Sequence, residues 1–219
     1  QQTALIELES SHNMHGGAVY PPEVADDICD RAHHAGLPVH LDGARIFNAS
    51  VALGRSVAVL TRKFDSVMFC LSKALGAPVG SMLVGSRDFI GKARVGRKLL
   101  GGGMRQAGVL AAAGLIALEE TPKILHHDHE NARRLAKGLS QIKGILLDPT
   151  KVVTNIVIFD VHATGRTASE LCAEVAKRKV LCGPTEKFSV RMVTHYDVDV
   201  AGIDRAVAAV GEVLDSRSA

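Results

Sequence analysis

Short apolar runs bounded by polar or glycine-rich turns recur along the chain, and between them apolar residues return every three or four positions. The first pattern marks strands buried in a sheet and the second marks amphipathic helices. Residues 3–8 (TALIEL), 37–42 (LPVHLD), 64–71 (FDSVMFCL) and 79–85 (VGSMLVG) read as buried strands. Pro21 and Pro22 open a helix, because proline is tolerated in a first turn, and Gly36 closes it. Helices follow over 46–53, 87–100 and 104–120, the last two separated by Gly101-Gly102-Gly103, and then a long polar helix over 122–142. The remainder alternates a strand (155–161), a helix (167–178), a strand (187–193) and a helix (200–214). Such alternation predicts an α/β sheet covered on its faces. The expected division is a large domain over 1–143, including the long connecting helix, and a small α+β domain over 144–219.

Composition narrows the classes. A chain of 219 residues, 47% hydrophobic and 22% charged, is ordinary globular protein with enough length for a sizeable core. The net charge is +3 and no block of like charge appears, so neither nucleic acid nor an acidic membrane is expected as partner. No apolar run approaches the roughly 18 residues of a spanning helix. Residues 1–10 lack the basic, apolar and small-residue order of a secretory signal. The four cysteines, Cys29, Cys70, Cys172 and Cys182, are dispersed with no C-x-x-C pair. Cys70 and Cys172 sit in apolar stretches as buried reduced thiols, and a cytoplasmic compartment is expected. His126, His127 and His129 have no second ligand cluster, so a solvated helix face and no metal site are expected. The chain starts at Gln1 and enters a strand almost at once, which reads as a molecule entered partway along.

Candidate chemistry gathers where strands end. Asp42 follows the apolar strand 37–42, and ligands of open α/β sheets bind at the carboxyl ends of strands. A carboxylate there can pair with a cationic ring nitrogen, and Arg45 can answer an anion; a turn-capping Asp beside a surface Arg fits the same residues. Lys73 follows the strand 64–71 inside a small-residue loop. Apolar walls would lower its amine pKa towards Schiff-base chemistry, whereas a solvated loop lysine needs no such walls. Together the two residues form a kit for pyridoxal 5′-phosphate: a lysine for the aldehyde and an acid for the pyridinium. No Walker A sequence and no G-x-G-x-x-G is present, so Gly101–103 read alone fits a flexible helix break as well as a functional turn, and Arg191 read alone fits a snorkelling edge residue of its strand as well as a binding residue.

The motifs HLDGAR (40–45), LSKALGAPVGSMLVG (71–85), RKLLGGGMRQAGVLAAAG (97–114) and RMVTHYDV (191–198), in this order, resemble the low-specificity L-threonine aldolases. The resemblance covers nearly the whole chain and implies an α/β fold type I enzyme dependent on pyridoxal phosphate. The chain would then hold the C-terminal part of the large sheet domain and the small C-terminal domain. Lys73 would carry the cofactor as a Schiff base, Asp42 would bond the pyridine nitrogen, and Ser72 would reach the phosphate or its vicinity. Arg45 and Arg191 would bind the substrate carboxylate. Arg105 would reach the phosphate of a neighbouring subunit in a homo-oligomer, a dimer or tetramer with shared active sites, and Lys98 would approach the same site. His12 and Asn13 match a similar pair in the family and fit either proximity to the active site or a loop-ordering hydrogen bond.

The implied activity is that of a carbon–carbon lyase cleaving L-threonine or L-allo-threonine to glycine and acetaldehyde, within glycine biosynthesis and threonine catabolism. The family also carries a segment before the strand 3–8, with a Gly-Thr phosphate turn and a His stacked on the ring. Its lack here leads to the expectation of a truncated chain. Two other readings stay open: an inactive chain acting only as an assembly partner, and a related lyase for another β-hydroxy amino acid.

Overall fold

The computed structural model describes residues 2–215, which divide into two compact units. One unit contains residues 2–11 and 19–123, and the other contains 12–18 and 124–215. The division therefore follows Lys123, and the long helix expected to belong to the large domain packs in the second unit.

In the first unit, β1 (Ile6–Glu9), β2 (Val39–Asp42), β3 (Ser66–Cys70) and β4 (Ser81–Gly85) form one sheet in the order β1-β2-β3-β4. The first three are parallel and β4 runs antiparallel to β3. Glu9 pairs with Asp42 and Asp42 with Met68, so the carboxyl ends of β1 and β2 lie level and β3 runs two residues further, to Cys70. Helix α1 (Pro22–His34) connects β1 to β2 and begins on Pro22, whose missing N–H costs nothing in a first turn. Its Ala25, Cys29 and Ala32 recur at helical spacing, and Cys29 and Ala32 pack with Val39. Between β2 and β3 lie α2 (Ile46–Leu53) and α3 (Val57–Thr61), the latter capped by the Ser56 hydroxyl accepting from the Val59 amide at 3.3 Å. A second cluster joins Leu41, Ile46, Ala49 and Val67.

The expectation of a buried strand over 79–85 fails. All five residues of β4 are exposed, and Met82, Leu83 and Val84 stand 40–50% open on alternate faces. The same holds for α4 (Arg87–Leu99), which has no buried residue, and for α5 (Gly108–Glu119), which buries only Gly114 and Ala117. The apolar run is real; burial requires a second surface, and α4, which meets β4 through Phe89 at Gly85, leaves the rest of the strand open.

The second unit sets α6 (Leu125–Leu139), α7 (Ala168–Ala176) and α8 (Val200–Asp215) with an antiparallel sheet of order β5-β7-β6, comprising β5 (Ile156–Asp160), β6 (Gly183–Pro184) and β7 (Ser189–Val193). One continuous core runs through it, with Ala132, Leu135, Ala136 and Leu139 of α6 against Phe159, Leu171, Val190 and Val210. Helices α6 and α8 approach closely at Gly138, where a β-carbon would lie 2.7 Å from Val207 Cγ2. Helix α7 starts with a reciprocal capping box between Thr167 and Glu170. The loop 12–18 belongs here because Thr154 donates its hydroxyl to the Gly17 carbonyl at 2.9 Å. The solvated face expected for the three histidines holds for His126 and His127, whereas His129 is 2% exposed on the inner side of α6. Burial, with Arg133 and His126 nearby, pushes its pKa down to about 4. Among the described residues no helix is long and apolar enough to cross a membrane.

Candidate active site

Asp42 ends β2 and is half-buried. Its Oδ1 accepts the Ala44 amide at 2.9 Å, closing a turn that holds the carboxylate at the end of the sheet. Gly43 within that turn donates to the Met68 carbonyl at 2.8 Å. A larger residue would be crowded there, since a β-carbon would lie 3.0 Å from the Met68 oxygen and 3.1 Å from Ile46 Cβ and the neighbours would have to give. Cys70 in turn donates its amide to the Ala44 carbonyl at 3.4 Å. The turn after β2 is thus stitched to the end of β3, and the chain runs from Cys70 directly into Lys73.

The Lys73 loop closes on itself. Ala77 donates to the Leu71 carbonyl and Gly76 to the Lys73 carbonyl, both at 2.9 Å, and Leu71 donates to the Gly80 carbonyl at the same distance. Leu71, Ala74, Leu75 and Ala77 are buried and anchor the loop, which turns Lys73 and Ser72 outward. Lys73 is accordingly exposed within this chain, as in the solvated-loop reading of its sequence and without apolar walls around it. The Ser72 hydroxyl donates to the Gly80 carbonyl at 3.4 Å, near the limit of a hydrogen bond. Arg45 precedes α2, half-buried with its Nε enclosed. The first unit therefore brings Asp42, Arg45, Ser72 and Lys73 to the stitched ends of β2 and β3. Arg105 lies in the turn between α4 and α5 and is exposed, as is Lys98 in α4.

In the second unit Arg191 sits in the middle of β7, between Ile158 and Gly183 in register. Its Nη1 donates to Asn13 Oδ1 at 3.0 Å. Asn13 is presented by a short turn (Asn13–His15) that is pinned by the His12 amide on the Ala18 carbonyl at 2.8 Å. The His12-Asn13 pair stands out in the sequence, whereas nothing in the sequence signals its partner 178 residues away.

The family described as beta-eliminating lyase matches residues 1–164. The chain belongs to that family. Among similar lyases, low-specificity L-threonine aldolase 1 of Arabidopsis thaliana is 44% identical over 202 residues, 92% of this chain and 56% of that protein. The low specificity L-threonine aldolase of Escherichia coli K12 is 42% identical over 197 residues, 90% of this chain and again 56% of the relative. The chain thus spans a little over half the length of these lyases. Two solved structures share the fold: a Listeria monocytogenes protein provisionally named an L-allo-threonine aldolase (TM-score 0.80, 19% identity, 95% of this chain and 61% of that one), and the Leishmania major threonine aldolase (0.73, 17%, 96% and 61%). The architecture is that of fold type I, closely related to the low-specificity L-threonine aldolases.

Membership in this lyase family implies a site for pyridoxal 5′-phosphate. The donor set at the ends of β2 and β3 suits that group. The half-buried carboxyl group of Asp42 suits a ring nitrogen that carries a proton, and Lys73 offers a primary amine three residues beyond β3.

Proposed function

We propose that the chain supplies the chemistry of a pyridoxal phosphate-dependent carbon–carbon lyase that cleaves L-threonine or L-allo-threonine to glycine and acetaldehyde. The observation that carries this reading is the pair Asp42 and Lys73 on the stitched ends of two neighbouring parallel strands. The similar proteins named L-threonine aldolases supply the substrate.

Bound here, the cofactor supplies an electron sink for the negative charge left on Cα when its bond to Cβ breaks. Lys73 holds it covalently through the ε-amine. Asp42 accepts the hydrogen bond of the ring N–H and so keeps the proton on that nitrogen. Ser72 serves the phosphate, and Arg105 serves the phosphate of a neighbouring copy in a dimer or tetramer. Arg45 and Arg191 bind the substrate carboxylate, and this grip decides which bond at Cα is aligned to break. Threonine catabolism and glycine supply in the cytoplasm are the metabolic setting of this reading.

The test is to incubate the chain with pyridoxal phosphate, reduce it with borohydride and map the peptides. A pyridoxyl group on Lys73 is expected, and none after Lys73→Ala. Label on another lysine, or on none, overturns the assignment. With threonine, glycine and acetaldehyde should appear in equal amounts; faster cleavage of another β-hydroxy amino acid would move the reading to a related lyase.

A further inference from the structure

Two thiols that the proposed reaction does not use meet in the second unit. Cys172 lies on the inner side of α7, 8% exposed, beside Leu171 and Val175 of the core. Cys182 lies in the segment that leads from α7 into β6, partly exposed, and its neighbour Leu181 is 86% exposed. The Cys182 Sγ donates to the Cys172 Sγ at 3.3 Å, which is contact distance for two sulfurs. A disulfide needs about 2.05 Å. The closing movement falls on the short connection between Ala176 and Gly183, which enters the sheet at its edge beside β7.

We propose that Cys172 and Cys182 form a reversible oxidation site whose co-reactant is a low-molecular-weight disulfide of the glutathione type. Cys182, the residue of the two with more surface open to solvent, attacks one sulfur of the co-reactant through its own sulfur; a mixed disulfide forms and one thiolate leaves. The Cys172 sulfur then attacks the Cys182 sulfur, the protein disulfide forms and the second thiolate leaves. The two protons lost by the cysteines end on the two released thiols, so the protein loses two electrons and the co-reactant gains them. Burial pushes the Cys172 thiol up, and burial together with Cys172 pushes Cys182 up to about 12. Exchange is therefore slow near neutrality and quickens as pH rises. Gly183, next after Cys182, is the register partner of Arg191, so oxidation fastens the strand beside that arginine. The site stands on this contact alone, whether or not the chain cleaves threonine.

The test uses the whole chain equilibrated with oxidised glutathione at mildly alkaline pH, quenched in acid, alkylated under denaturing conditions and digested for mass spectrometry. One cross-linked peptide pair joining Cys172 to Cys182 is expected, with Cys29 and Cys70 alkylated and the link lost on treatment with a dithiol. Cys172→Ser should leave Cys182 as a stable mixed disulfide, and Cys182→Ser should leave Cys172 alkylated. Full alkylation of both cysteines in the wild-type chain overturns the proposal. So does a mixed disulfide that persists at Cys182 while Cys172 stays a thiol.

Discussion

The two units place similar apolar sequence in opposite situations. In the second, α6, α7 and α8 turn their apolar stripes onto one sheet and a single core results, with Phe159, Leu171, Val175 and Val210 at 1% exposure or less. In the first, clusters form around Val39 and around Leu41, while Leu83, Val84, Leu115 and Ile116 look outward. An apolar run thus reports what a segment is able to bury, and the neighbouring elements decide whether it does so. The candidate cofactor residues Asp42 and Lys73 belong to the unit with the open face, and the dense packing belongs to the other.

The largest effect expected from this contrast is at Phe159. Phe159→Ala should cost about 3–5 kcal/mol of stability, read from urea unfolding followed by circular dichroism. A cost near zero would show that the second unit lacks the close packing described for it. Next comes His129, whose folded pKa of about 4 lies below its ordinary 6.5. Between those values the unfolded chain binds a proton that the folded chain does not, so stability is full above about pH 6.5 and falls as pH drops towards 4. The loss is on the order of 3 kcal/mol. Asp128, whose pKa burial raises, acts in the opposite sense at the acidic end. The slope that His129→Gln removes between pH 7 and pH 5 isolates the histidine, and an unchanged slope would mean that the ring is solvated.

A smaller change is expected where helices touch. Gly138→Ala should cost about 1–3 kcal/mol by forcing α6 from Val207, and Gly91→Ala in α4, where a β-carbon meets nothing within 4 Å, should be neutral or stabilising. Asn13→Ala should cost about 1 kcal/mol through loss of the Arg191 hydrogen bond, with Asn13→Asp retaining most of it. The smallest effect is at β4, where Leu83→Lys should shift the unfolding midpoint by no more than about 0.5 kcal/mol equivalent. A loss of several kcal/mol there would show that β4 is covered and would remove the contrast between the units.

How much of this was legible in sequence depended on how local the cause was. Helix α2 runs over 46–53 as the pattern predicts, and α1 starts at its prolines, because caps and periodicity act within a few residues. Strand β6 escaped notice because Gly183-Pro184 has neither apolar character nor length; pairing with β7 alone makes it a strand. Asp42 and Lys73 could be picked out because each stands at the end of an apolar run, and the stitch through Gly43 and Ala44 that relates them could not. The hydrogen bond from Arg191 to Asn13 and the contact between Cys172 and Cys182 depend on tertiary placement, which no spacing rule reports. His129 shows the converse: three histidines in one short stretch look alike, and the rotation of α6 makes one of them a core residue.

The loop 12–18 carries a last consequence, for the order in which the protein takes shape during synthesis. Gly17 receives its hydrogen bond from Thr154 and Asn13 from Arg191, partners that follow it by 137 and 178 residues. A ribosome makes the loop well before these partners, so it emerges with only its own internal hydrogen bonds while β1, β2 and β3 can already pair. Contacts of such sequence separation form slowly, because a long chain must be drawn closed before they reward it. The second unit therefore completes its fold only by recovering a piece of chain made long before the rest of it.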